Sequence, residues 1–169
     1  MRILGIDPGL QKTGWGIIRF DSNRLQFVAC GTIQTNPADT TAQRLAEISI
    51  ALEKIIQDWT PDEAAIEETF VNRNPASALK LGVARGAAMV TPARLGLAVA
   101  EYPANLVKKS VVGTGHAAKD QVGLMVRTLL PGAGKMGADA ADALAIAICH
   151  AHHASSRKRM GGIMAGGVR

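Results

Sequence analysis

Hydrophobic and polar positions along this chain follow two periods in turn. Residues 3–6 are a short apolar run closed by Asp7-Pro8-Gly9, the pattern of a buried strand entering a turn. Residues 14–20 and 25–32 are two more strand-like runs, with Asp21-Ser22-Asn23 between them as a hairpin connection. The period then changes. Leu45, Ile48, Leu52, Ile55, Ile56 and Trp59 recur at helical spacing over 41–59. Thr40 or Thr41 can cap that helix, and Thr60-Pro61-Asp62 ends it. Residues 64–67 are a fourth short strand. Residues 75–90 read as a helix with Pro75 at an early position and Leu79 and Val83 on one face. Residues 97–102 are a fifth strand, ending at Pro103. Helices follow over 119–130, stopped by Pro131-Gly132, and from Ala138 to about His153. This order predicts an α/β domain over 1–154, a five-stranded mixed β-sheet with helices on both faces. The basic, glycine-rich stretch 155–169 is expected to be a disordered tail.

Composition narrows the picture without changing it. A chain of 169 residues suits one domain with a real core. Aromatics are 4% of the chain, so that core must be built of Ala, Leu, Ile and Val. Strand-like sequence begins at Ile3 with no apolar segment ahead of it, and no apolar run approaches the roughly 18 residues of a membrane helix. Cys30 and Cys149 lie far apart and make no ligand pattern, as expected of small buried hydrophobes. These features predict a cytoplasmic protein that makes no membrane contact. Charge is uneven. Residues 1–85 carry nine basic and ten acidic side chains, and residues 86–169 carry ten and four. A basic second half suggests a polyanionic partner, nucleic acid first.

Four carboxylates stand where burial makes them costly. Strand alternation puts Ile3, Gly5 and Asp7 on one face, with Asp7 at the strand end. Glu67 ends the fourth strand in AAIEETF. Both lie at carboxyl ends of strands, where active sites of α/β sheets collect. Asp139 and Asp142, three apart in GADAADALAIAICHAH, share one face near the start of a helix apolar almost all round. Two ionised carboxylates among Ala, Leu and Ile cost several kcal/mol or shift their pKa upward. The helix dipole offsets about 0.3–1 kcal/mol of this, and a divalent cation far more. Taken singly, Asp7 also suits a turn, Asp139 an N-cap and Glu67 an exposed strand end. Together the four suit a hard-metal site of the kind Mg²⁺ occupies, a few carboxylates completed by water and substrate phosphates.

The motifs IDPGxxxTGWG, AIExxF, NxxSALKLGxARG, VKxxVVGxG, KxQVxxMVxxLL and DAADALAIAICHAH, in order from Ile3 to about His153, resemble the RuvC family of bacterial Holliday-junction resolvases. The resemblance implies a ribonuclease-H-like fold, a homodimer with its interface in the region of the 75–90 helix, and Mg²⁺-dependent nicking of four-way DNA junctions in recombination and repair. It implies that Asp7, Glu67, Asp139 and Asp142 are the catalytic metal ligands. Two Mg²⁺ ions per site are expected, with Mn²⁺ as a substitute and Asp7 as the bridging ligand. Some relatives carry His at the third position, where this chain has Asp139. Lys108 and Lys119 match DNA-contacting lysines of the family. Arg73, Lys80, Arg85 and Lys109 are further candidates for the DNA backbone. Phe70 by itself suits the core equally well; the resemblance implies that it stacks on or wedges against a base. RuvA and RuvB, the branch-migration proteins, are implied partners.

Other signals point elsewhere. PGAGKMG at 131–137 lacks the spacing of a phosphate loop and has Met136 where Ser or Thr should follow Lys135. His150, His152 and His153 fall at a helix C-terminus, where a structural role is expected. IDPG followed by TGWG also resembles the first phosphate loop of actin-like ATPases, but those need two such domains. A junction-binding module without catalysis is a third reading. It leaves the four acids unexplained.

Overall fold

The structure, a computed structural model, describes residues 1–68, 74–115 and 118–164, with the backbone alone for Lys119 and 155–164. Five strands form one sheet: β1 Arg2–Asp7, β2 Lys12–Asp21, β3 Arg24–Gln34, β4 Glu63–Glu68 and β5 Ala98–Pro103. Their spatial order is β3-β2-β1-β4-β5. The first three strands pair antiparallel, and β4 and β5 add in parallel on the other side of β1. The β2–β3 hairpin turns on Ser22 and Asn23, both at positive φ (48° and 66°), the backbone hand that matches strand twist.

Helices cover both faces, as the sequence predicts. On one face lie α1 Thr41–Trp59 and α2 Pro75–Arg94. Thr40 and Gln43 form a reciprocal capping box on α1, and Asn74 caps α2 ahead of Pro75. Ile48, Leu52 and Ile56 of α1 pack with Leu4, Ile6, Ile17 and Ile66 of the sheet. The other face carries α3 Ala104–Val112, α4 Lys119–Leu129 and α5 Ala138–Met164. Here α5 packs on the sheet, α3 and α4 pack against α5, and α3 also reaches β4 and β5. Its residues 143–151 are all buried, as the unbroken apolar run 143–149 requires, with the polar His150 carried in beside it. Cys30 and Cys149 are free thiols, and burial pushes both above the usual range.

Three boundaries differ from the sequence reading. Helix α2 continues past Val90, because Pro92 enters at its last turn, where the Thr91 hydroxyl caps the Ala87 carbonyl at 2.8 Å. Helix α3 has no counterpart in the predicted elements. Its run of Val and Lys is too short for periodicity to separate helix from strand, and it forms because Val107 and Val111 reach the core one turn apart. Helix α5 runs to Met164 and not to about His153, so its backbone is helical through most of the stretch expected to be disordered. No proline interrupts it there.

Candidate active site

Asp7 is held in place by the turn that closes β1. The Thr13 side chain, fully buried, donates to the Gly9 carbonyl at 2.8 Å and accepts the Gly9 N–H at 3.3 Å. The Thr35 hydroxyl donates to the Leu10 carbonyl at 2.6 Å. The turn is therefore pinned at successive residues, and Asp7 cannot drift with it. Alternation along β1 and β4 directs Asp7 and Glu67 to the α5 side of the sheet.

Glycines bring α5 down onto those strands. A Cβ on Gly5 would lie 2.0 Å from the Ala143 carbonyl oxygen, and one on Gly14 would lie 2.0 Å from that of Asp139. No other residue type fits such an approach. Gly14 is the β2 partner of Asp7, so the Asp139 backbone rests against the residue beside Asp7. Asp142 comes one turn later.

The result is a cleft of about 220 Å³ lined by Asp7 of β1, Glu67 of β4, Asp142 of α5 and Lys108 of α3, with Val107 and Val122 among its apolar walls. Asp142 also borders a second cleft of about 390 Å³, which has Asp120 and Arg127 of α4 on its other side. Asp139 belongs to the same turn of α5 but does not line the first cleft. Among the described residues no three of His, Cys, Asp and Glu stand close enough together to hold an ion by themselves. The donor set is nonetheless all oxygen and open to one side. That fits a hard cation which keeps waters and takes further ligands from phosphate.

The remaining predicted site residues divide. Lys80 on α2 and Lys109 on α3 are exposed. Lys119 opens α4, but its side chain lies outside the described residues, as do Phe70 and Arg73 altogether. Arg85 departs from its expected role. Its side chain is 20% exposed, its Nε donates to the Glu67 carbonyl at 3.0 Å, and its guanidinium pairs with Glu101. These contacts tie it to β4 and β5 within the protein.

A buried polar relay escaped the sequence reading. Tyr102, the β5 partner of Glu67, bonds through its hydroxyl to Nδ1 of His150 at 3.0 Å, and Nε2 of His150 meets Glu63 at 2.6 Å. The structural role expected of His150 agrees with this. The spacing of Tyr102 and Glu63 on neighbouring strands gives no signal until the α5 register is known.

A sheet of this strand order, with acids at the ends of adjacent strands and on a helix laid across them, defines an α/β nuclease domain of ribonuclease-H-like architecture. The family model of crossover junction endodeoxyribonuclease RuvC matches residues 3–150. The chain is 59% identical to the crossover junction endodeoxyribonuclease RuvC of Paramagnetospirillum magneticum, over 95% of this chain and 96% of the relative. It is 57% identical to that of Rhodospirillum rubrum over the full length of both. Among solved structures, Thermus thermophilus RuvC in complex with a Holliday junction substrate superposes with a TM-score of 0.84 at 34% identity, covering 95% of this chain and 96% of that one. The chain belongs to the RuvC family of crossover junction endodeoxyribonucleases, DNA hydrolases of recombination and repair that are in general metal-dependent. Membership in this family displaces the ATPase and non-catalytic alternatives. No helix among the described residues is long and apolar enough to cross a membrane.

Proposed function

We propose that this chain nicks four-way DNA junctions in the cleft where β1, β4, α3 and α5 meet. The observation that carries the reading is the convergence of Asp7, Glu67, Asp142 and Lys108 from four separate elements on one cleft. Asp7, Glu67, Asp139 and Asp142 would hold Mg²⁺, two ions if both acids of α5 take part, with Mn²⁺ as a substitute. When bound, the metal would supply an activated water and stabilise the leaving 3′-oxygen. The protein's own part is placement. The pinned β1 turn and the glycine contacts fix the carboxylates, and Lys108 offers a cation to the DNA backbone beside them. Lys80, Lys109 and Lys119 are proposed to hold flanking phosphates. Replacing any one of these lysines with alanine should reduce the salt slope of junction binding by about one unit. Phe70 is proposed to meet a base and Arg73 a phosphate near the cut.

The outer surface of α2 supports a homodimer. Leu79 (72% exposed), Val83 and Val90 (59%) face solvent along one side of this helix, with Gly82 and Gly86 between them and nothing within 4 Å of a Cβ at either glycine. Exposed apolar residues alternating with glycine are suited to a second helix at close range. Two-fold pairing there would present two clefts to one junction, giving matched nicks. RuvA and RuvB are proposed to deliver the same junction. The test is incubation with a synthetic four-way junction, with and without Mg²⁺. Symmetric nicks that need the metal are expected. Binding without nicks under both conditions contradicts the reading.

A further inference from the structure

The Glu67 carbonyl sits where the sheet offers it no N–H. In a parallel ladder a carbonyl accepts from the N–H one residue beyond its partner. On the β5 side the partner of Glu67 is Tyr102, and the next residue is Pro103. On the β1 side the last pair is Ile6 with Ile66; one step on, Asp7 stands beside Glu67, and the next residue is Pro8. Whichever neighbour the carbonyl faces, the residue placed to donate is a proline, which has no N–H. A carbonyl at the end of a buried strand, past the reach of the ladder, takes its donor from outside the sheet.

Arg85 fills this gap from the other face of the sheet. Its Nε donates to the Glu67 carbonyl at 3.0 Å across a sequence separation of 18, and its guanidinium is anchored by Glu101, the β5 partner of Ile66. The bond orients the peptide that carries the Glu67 side chain, and that side chain points the opposite way, into the cleft. We infer that Arg85 is a positioning residue for Glu67: it supplies the hydrogen bond that two prolines withhold and so aims the carboxylate into the metal site. This rests on the proposed function of the cleft.

The test compares wild type with Arg85→Ala and Arg85→Lys in the full chain, each shown folded by circular dichroism. Lysine keeps the charge opposite Glu101 but lacks the Nε fork. Two readouts are taken at a temperature well below unfolding. The first is Mg²⁺ binding to the DNA-free protein by calorimetry. The second is junction cleavage against Mg²⁺ concentration, alongside junction affinity without metal. Both variants should bind Mg²⁺ several-fold more weakly and lose about 10²-fold in kcat, as misplacement by about 1 Å can cause. Junction affinity should stay within about twofold. A purely structural role would lower the melting temperature and leave the Mg²⁺ midpoint in place; that result overturns the inference, as do variants with wild-type Mg²⁺ affinity and kcat. If Arg85→Ala does not fold, Arg85→Lys decides. A wild-type protein that neither binds Mg²⁺ nor cuts junctions refutes the reading of the cleft itself, a result distinct from the failure of Arg85 alone.

Discussion

On the face that carries the cleft, α5 lies against β1 and β2 with no side chain between backbones at Gly5 and Gly14. On the opposite face, α1 stands off the sheet on full side chains, Leu4, Ile6, Ile17 and Ile66 meeting Ile48, Leu52 and Ile56. The contrast extends outward. The α5 face is closed by a second helical layer, α3 and α4. Helix α2 leaves Leu79, Val83 and Val90 in solvent. Carboxylates that must act together need a helix fixed at backbone distance, where a side-chain change anywhere shifts the geometry. A surface meant for a partner needs the reverse, an apolar side not yet covered. Arg85 ties the two, reaching from α2 to the strand that bears Glu67.

The contrast is broken most severely where α5 meets β1. Gly5→Ala places a carbon 2.0 Å from the Ala143 carbonyl oxygen, where only backbone movement relieves the clash. Overpacking of this kind should cost roughly 1–3 kcal/mol or more, read as a lower urea midpoint with an unchanged slope. Cleavage should fall further than stability, because α5 lifts away with Asp142.

On the α2 face the same size of change should leave the fold alone. Leu79→Asp combined with Val90→Asp should alter the stability of the monomer by about 0.5 kcal/mol or less. It should convert the proposed dimer to a monomer in sedimentation equilibrium and uncouple the proposed paired nicks. A double variant that remains dimeric would remove α2 as the interface.

The smallest expected effect is in pH. Burial, and then the charge of neighbouring His153, push the His152 pKa below its ordinary 6.5, partly offset by a hydrogen bond with the Ser110 backbone. The folded chain therefore binds this proton less readily than the unfolded chain. Stability is fully present above pH 6.5 and declines as pH falls below it. His152 is only partly withdrawn from solvent, so the decline is shallow. His152→Gln should flatten thermal stability between about pH 7 and about pH 5.5.

Much of this was legible from the chain. Alternation in β1 grouped Asp7 with Ile3 and Gly5 on one face, and the apolar character of 143–149 placed its helix in the core with two acids at its start. The rest depended on facts that no local pattern carries. Glycines at 5, 14 and 16 form a period-two signal on adjoining strands, but its meaning appears once α5 is laid across them. Arg85 reads as a free cation in sequence. That no sheet N–H reaches the Glu67 carbonyl is a consequence of Pro8 and Pro103, and these become relevant when β1, β4 and β5 are seen side by side. Tyr102, His150 and Glu63 meet across separations of 48 and 87 residues. Helix α3 was missed because β-branched residues in a short run suit either period.

The central claim is that Asp7, Glu67, Asp139 and Asp142 act as one metal-holding set. Its most direct measurement is junction cleavage and junction binding for Asp7→Asn, Glu67→Gln, Asp139→Asn and Asp142→Asn, each made alone. The amides keep shape and remove charge. Each should abolish Mg²⁺-dependent nicking while leaving junction affinity near that of wild type. An Asp7→Asn protein that cuts junctions at the normal rate would contradict the account.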